Sequence, residues 1–78
     1  MTEGEYKVGI SFNPSGNAEV NKIKQSAASL IDYLNDWLTH QSGPATNEQG
    51  RLVALAKTHI EDAAMWAVKA VTKQPFAP

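Results

Sequence analysis

The sequence predicts an all-α protein: an antiparallel two-helix hairpin with an extended N-terminal arm, which assembles into a compact helical homo-oligomer. Three observations predict this class. One apolar stripe at helical spacing runs through residues 51–73, a second runs through 20–37, and a short segment with Gly-Pro separates them. Apolar residues also flank the alanine-rich stripe of the second helix, so its apolar arc is wider than one neighbouring helix requires. A second apolar surface needs a second partner.

The first 16 residues are predicted to form the extended arm, because they hold three glycines and a proline. Asn13-Pro14 and Ser15-Gly16 mark a turn at the end of the arm. Asn17 then serves as N-cap of a first helix over about 18–40. Its apolar positions follow 3-4-3 spacing at Val20, Ile23, Ala27, Leu30, Leu34 and Trp37.

Residues 41–47 combine Gly-Pro with small polar residues, so they are predicted to end the first helix and to cap the second at Thr46 or Asn47. The second helix is predicted over about 48–72, followed by a tail over 73–78. A connection this short makes the two helices antiparallel. The whole chain, 1–78, is expected to be one helical-hairpin domain.

Length and composition indicate self-association. A chain of 78 residues is close to the size at which one core supplies only a few kcal/mol of stability. There is no cysteine for a disulfide, and the two histidines lie far apart, so we expect no metal site and no cofactor. A net charge of −1 argues against DNA or RNA polymers as partners, so any bound anion should be small.

Neither an export signal nor an apolar run of membrane-spanning length is visible, so no membrane partner is expected and the predicted location is the cytoplasm. No catalytic constellation is visible either. Glu61 and Asp62 are adjacent and project about 100° apart on a helix. Ser26 and Ser29 have no obvious base in a nucleophile motif. We therefore predict that the protein is not an enzyme.

Three sets of residues are candidates for ligand binding. Phe12 stands among polar and turn-forming residues, where its ring either offers a flat face to a nucleobase or anchors the arm on the hairpin. Lys24, with Lys22, lies near the N-terminus of the first helix, where backbone N–H groups favour anions; the alternative is ordinary surface charge. Arg51 and Thr58 share one helix face, suited to phosphate oxygens and a base edge.

The remaining interpretations concern an ion pair and the contacts between subunits. Arg51 could equally pair with a carboxylate such as Glu48. Leu55, Met65 and Trp66 are bulky residues beside the alanine stripe, and we expect them at the interface between subunits rather than at a cofactor.

The second helix resembles a known family. The pattern Glu-x-Ala-x-Met-Trp-Ala-x-Lys-Ala begins at Glu61 and ends at Ala70. The first half of the chain adds the Phe-Asn-Pro-Ser-Gly motif of 12–16 and the Val-x-x-Ile-Lys motif of 20–24. Over roughly residues 12–72 the chain resembles the helical-hairpin domain of the phage cyclic-oligonucleotide sponges, the anti-CBASS proteins and their anti-Thoeris relatives.

This resemblance implies a helical hairpin that forms a homo-oligomer, a hexamer in the anti-CBASS branch, and that binds cyclic dinucleotides such as 3′,3′-cyclic GMP-AMP between subunits. It implies sequestration of the messenger without cleavage, inside the infected bacterial host, so that the CBASS effector stays inactive. Some members also hold cyclic trinucleotides at a separate site.

Residue by residue, the resemblance implies that Phe12 stacks on a base, with Tyr6 as the fallback, and that Lys24 contacts the phosphates. Asn13 and Pro14 belong to the same dinucleotide site. Arg51 and Thr58 would form the trinucleotide site. The competing interpretation is an oligomeric helical-hairpin adaptor that binds a protein or a nucleic acid; an enzyme that opens the cyclic ring would need a base or metal that the sequence does not offer.

Overall fold

The computed structural model of the protein describes residues 1–41 and 43–74. Within these residues all regular structure is helical, which confirms the all-α prediction. The helices are α1 (Glu3–Val8), α2 (Ala18–Thr39) and α3 (Asn47–Thr72). The long helices α2 and α3 pack as an antiparallel pair: the Asn17 side chain, at the start of α2, donates to the carbonyl of Val71, at the end of α3, at 3.3 Å.

The N-terminal arm differs from its prediction. The prediction of an extended arm over residues 1–16 is wrong for Glu3–Val8, which form α1. The hairpin therefore carries a third, short helix. A capping box starts α1: Thr2 Oγ1 accepts from the Glu5 backbone at 3.1 Å, and the Glu5 carboxylate accepts from the Thr2 backbone at 2.8 Å. Gly9, in the left-handed conformation at φ 63°, ends it.

The long helices lie within one residue of their predicted bounds. Asn17 caps α2, and its side chain accepts from the Glu19 backbone at 2.8 Å. Thr46 caps α3 through a capping box with Gln49. Ser42, in the predicted loop, and the last four residues of the predicted tail lie outside the described residues.

The core is small and is shared by three helices. Among the described residues its buried apolar side chains are Val20, Ala28, Ile31, Val53 and Ala64. The buried arc of α2 is turned towards α1, which covers Ala28, so part of the predicted apolar stripe stays exposed: Leu30 is 48% exposed and Trp37 is 43% exposed. The Cα trace measures only 13 Å in its shortest dimension, against 58 Å in its longest.

α1 is attached to both long helices. The Gly4 backbone donates to Asp32 Oδ1 of α2 at 2.8 Å, and a Cβ at residue 4 would run into the carbonyl oxygen of Ala28. Close backbone approach therefore depends on glycine at this position. This docking places the C-terminal end of α1 beside the C-terminal half of α3 and leaves a groove between them.

Candidate functional site

A groove of about 520 Å³ opens between α1, the turn that follows it, and α3. Its volume is in the range that small-molecule sites usually have. Val8, Ala64 and Val68 contribute apolar wall. The side chains that give the groove its chemistry are Tyr6, Lys7, Phe12, Lys24, Glu61 and Met65. The structure therefore brings Phe12 and Lys24, two residues predicted to bind a dinucleotide, to one site together with Tyr6.

The two aromatic rings stand at the rim of the groove. Phe12 is 72% exposed and Tyr6 is 76% exposed, so neither ring is used as a buried anchor. The alternative interpretation of Phe12, a hydrophobic anchor for the arm, does not fit this exposure. Exposed aromatic faces beside a groove are suited to stacking on a planar ligand.

Lys24 is the buried cation of the site, with only 7% of its surface exposed. Its ammonium donates to the Gly9 carbonyl at 2.8 Å and also to the Phe12 carbonyl. It also lies 5.4 Å from the centroid of the Phe12 ring, a cation–π distance. A buried charge needs partners of this kind, and here the partners are the backbone that carries Phe12.

The turn after Phe12 is held by Asn13. Its amide nitrogen donates to the Asn17 carbonyl at 2.8 Å and to Asn21 Oδ1 at 2.9 Å. Its Oδ1 accepts from the Asn17 backbone at 3.3 Å and from the Ser15 hydroxyl at 3.2 Å. Asn13 and Pro14, predicted to belong to the dinucleotide site, do not line the groove. Asn13 instead connects the Phe12 segment to the start of α2.

A polar network fixes the other end of α1. Lys57 of α3 donates to Glu3 Oε1 at 2.8 Å and to Asn35 Oδ1 at 2.9 Å, and the Asn35 amide donates to Glu3 Oε2 at 3.0 Å. The hydrogen bond from Lys57, with its charge, lowers the pKa of the Glu3 carboxyl below the ordinary value of 4.5. One carboxylate thus ties α1 to both long helices.

Arg51 and Thr58 lie away from the groove, on α3. The Arg51 guanidinium forms a bidentate ion pair with the Glu48 carboxylate, with both N···O distances at 2.8 Å. This hydrogen-bonded pair lowers the pKa of the Glu48 carboxyl and raises that of Arg51. The Thr58 hydroxyl donates to the Ala54 carbonyl at 3.2 Å. The carboxylate pairing considered for Arg51 is therefore present.

The residues predicted at the subunit interface are all exposed: Leu55 by 43%, Met65 by 62% and Trp66 by 62%. Met65 lines the groove, whereas Leu55 and Trp66 lie outside it. Trp66 makes a cation–π contact with Lys69, whose ammonium lies 5.1 Å from the centroid of the ring. A second, more open groove of about 410 Å³ follows the α2–α3 seam and includes Leu30, Ile60 and Ala63.

Two residues of the site were missed by sequence reasoning: Lys7 and Glu61, which line the groove. Lys7 could be placed only by recognising α1, and its signal was the Thr2-x-x-Glu5 capping box. Within residues 1–41 and 43–74 no group of three or more His, Asp or Glu side chains could hold a metal ion. None of the helices in that part of the chain is both long enough and apolar enough to cross a membrane.

Comparison with known families matches this architecture. The model of the Acb2/Tad1 hairpin domain matches residues 5–72. The match covers α1 from Glu5 onwards and all of α2 and α3, so the protein belongs to this family, that of the anti-CBASS and anti-Thoeris sponges. No curated protein and no solved structure matches the chain significantly.

Proposed function

We propose that this protein is a phage-encoded sponge that sequesters a cyclic dinucleotide, such as 3′,3′-cyclic GMP-AMP, without cleaving it. By lowering the free messenger in the cytoplasm of the bacterial host, it would keep CBASS-type effectors inactive. One observation carries the proposal: a chain of the sponge family has a groove that combines the exposed ring of Phe12 with lysine side chains.

The groove offers what a cyclic dinucleotide needs. Stacking of a base on Phe12 or Tyr6 contributes about 1–3 kcal/mol per base. Two lysines, Lys7 and Lys24, supply positive charge for phosphate, and the apolar wall excludes water. A sponge must compete with the receptor of the messenger, so a nanomolar Kd, about −12 kcal/mol, is the scale required. One open groove with one stacked base falls short of that scale.

The shortfall supports an oligomer as part of the mechanism. Two subunits related by a two-fold axis would present two equivalent sets of aromatic and cationic groups to a ring with two equivalent phosphates. The exposed Leu55, Met65 and Trp66 supply the apolar surface for such contacts. We infer a compact homo-oligomer, a hexamer by analogy with the anti-CBASS branch, in which the groove is closed by a neighbouring subunit.

A second site for cyclic trinucleotides is proposed at Arg51 and Thr58, with three subunits contributing one arginine each around a three-fold axis. The bidentate ion pair with Glu48 holds the Arg51 guanidinium in one orientation. A phosphate at this site has to displace Glu48 or use the remaining N–H groups of the fork.

The first test is isothermal titration calorimetry of the purified protein with 3′,3′-cyclic GMP-AMP, followed by denaturation and chromatography of the released nucleotide. The expected result is a Kd in the nanomolar range and recovery of intact ligand. The Lys24→Ala variant should lose dinucleotide binding while the assembly stays intact in size-exclusion chromatography. Absence of binding to the wild type refutes the sponge, and recovery of linear nucleotide shows an enzyme instead.

A further inference from the structure

Two lysines line the groove, and their environments differ. The Lys24 ammonium is nearly inaccessible, and two of its three N–H groups already donate to the Gly9 and Phe12 carbonyls. At most one N–H is left for a ligand. Turning the ammonium towards a ligand would leave the Phe12 carbonyl without this donor and the Gly9 carbonyl with the Phe12 N–H alone, which costs free energy in a part-buried site.

Lys7 has the opposite character. It lies in the last turn of α1, is only half-buried, and lines the same groove. Its ammonium makes no hydrogen bond and no ion pair within 4 Å to any residue in the described part of the chain. All three of its N–H groups are therefore available to an anion.

We propose, on the basis of the proposed function, that the two lysines act differently: Lys7 contacts a phosphate of the ligand, and Lys24 is a positioning residue that holds the backbone carrying Phe12. The phosphate contact inferred from family resemblance for Lys24 thereby passes to Lys7. Lys24 affects ligand binding indirectly, because it fixes the position of the Phe12 ring.

The hydrogen bonds of the turn explain how Lys24 could have this effect. The Phe12 backbone donates to the Gly9 carbonyl at 2.9 Å, the oxygen that also accepts from Lys24. The ammonium thus bridges the two ends of the Gly9–Phe12 turn. Removing it leaves one backbone hydrogen bond to close the turn, so its amides should open more often to solvent.

Hydrogen–deuterium exchange of the ligand-free protein tests the positioning role. Lys24→Met keeps the aliphatic stem and removes the ammonium, and it should speed exchange in the peptide that covers residues 9–13. Lys7→Gln should leave this exchange unchanged. The control is Lys73→Gln, since Lys73 is exposed at the end of α3 and lies outside the groove. Unchanged exchange in Lys24→Met would overturn the positioning role.

Calorimetry with 3′,3′-cyclic GMP-AMP tests Lys7. Loss of a charge-assisted hydrogen bond predicts a roughly tenfold to hundredfold weaker Kd for Lys7→Gln. Lys7→Arg should recover most of the affinity, and Lys73→Gln should bind like the wild type. Equal binding by Lys7→Gln and the wild type overturns the assignment and leaves the sponge function standing. If the wild type itself binds no cyclic dinucleotide, the proposed function fails, and the role of Lys7 fails with it.

Discussion

Gly4 is the residue at which α1 touches α2, and it tolerates no side chain. A Cβ there would meet the Ala28 carbonyl oxygen and Asp32 Oδ1, the acceptor of the Gly4 backbone N–H. We predict that Gly4→Ala lowers the free energy of unfolding by about 1–3 kcal/mol, the usual range for overpacking. Urea denaturation followed by circular dichroism measures this loss.

Gly50 provides the matched control. It lies in the first turns of α3, and a Cβ at this position would meet nothing within 4 Å. Gly50→Ala should therefore raise the free energy of unfolding by about 0.5–1 kcal/mol, because alanine loses less backbone entropy in a helix. If both alanine variants changed the free energy of unfolding in the same direction, steric crowding against Ala28 would not explain the effect of a side chain at residue 4.

A charge reversal at Arg51 separates the two proposed nucleotide sites. Arg51→Glu places a carboxylate beside Glu48 and removes the guanidinium fork, so cyclic trinucleotide binding should be lost. Arg51 lies outside the groove, and cyclic dinucleotide binding should stay within about twofold of the wild type. Calorimetry with each ligand measures this, with Arg51→Lys as the variant that keeps charge without the fork. Loss of both ligands would show that the sites are not separate.

At the scale of residues, the sequence was sufficient for some members of the groove. Phe12 stood out because an aromatic ring among turn-forming residues has no obvious core to join, and the structure leaves it exposed. The hydrogen bonds of Lys24 could not be predicted, because its acceptors are backbone carbonyls in a turn whose shape the sequence pattern does not define. Lys7 was missed because its helix was missed.

The Glu3 carboxylate of α1 is hydrogen-bonded to both long helices. The pKa of Glu3 is lower in the folded protein than its ordinary value of 4.5. Its contribution to stability is therefore complete above about pH 4.5 and is lost as the pH falls through the lowered value. We predict that the wild type loses more stability than Glu3→Gln between about pH 5 and pH 3.

Urea denaturation across this pH range measures the difference, with Asp62→Asn as control. Asp62 is an exposed carboxyl of α3 with no ion pair to another residue in the ranges 1–41 and 43–74. The control should follow the wild type on acidification. If the free energy of unfolding of Glu3→Gln fell with pH in parallel with that of the wild type, the Glu3–Lys57 pair would add nothing to the docking of α1.

At the scale of elements, α2 and α3 were predictable because each is longer than 20 residues, has an apolar stripe and begins at a capping side chain. α1 was not, because six residues are too few to show a period, and the glycines at its second position and at its C-cap favour a turn. The alternating 3-4 spacing from Val53 through Ala56 and Ile60 predicts Ala63 on the buried stripe of α3, but Ala64 is buried and Ala63 is exposed.

The whole molecule is too thin to hide its apolar residues. With a Cα trace 13 Å across in its shortest dimension, large apolar side chains on its outer faces stay in solvent unless another copy covers them. We predict that the protein sediments as an oligomer at micromolar concentration. Trp66→Glu should shift it towards smaller species, because it places a charge on apolar contact surface.

Trp66→Phe is the control for the assembly, since it keeps an aromatic ring at the same position and should sediment like the wild type. Analytical ultracentrifugation of the three proteins gives their masses directly. A folded 8.5 kDa monomer in the wild-type sample would contradict the oligomer and would leave the groove open to solvent.

The tie between Glu3 and Lys57 spans 54 residues of sequence, whereas Asn35, which joins the same tie, is only 22 residues from Lys57. Closing the longer loop costs more chain entropy, and the partners of Glu3 are brought together only when α2 and α3 are already paired. We therefore expect the Glu3–Lys57 contact to close only after α2 and α3 have paired. Until that contact closes, α1, which supplies part of the rim of the groove, is held through α2 by contacts such as the Gly4–Asp32 hydrogen bond.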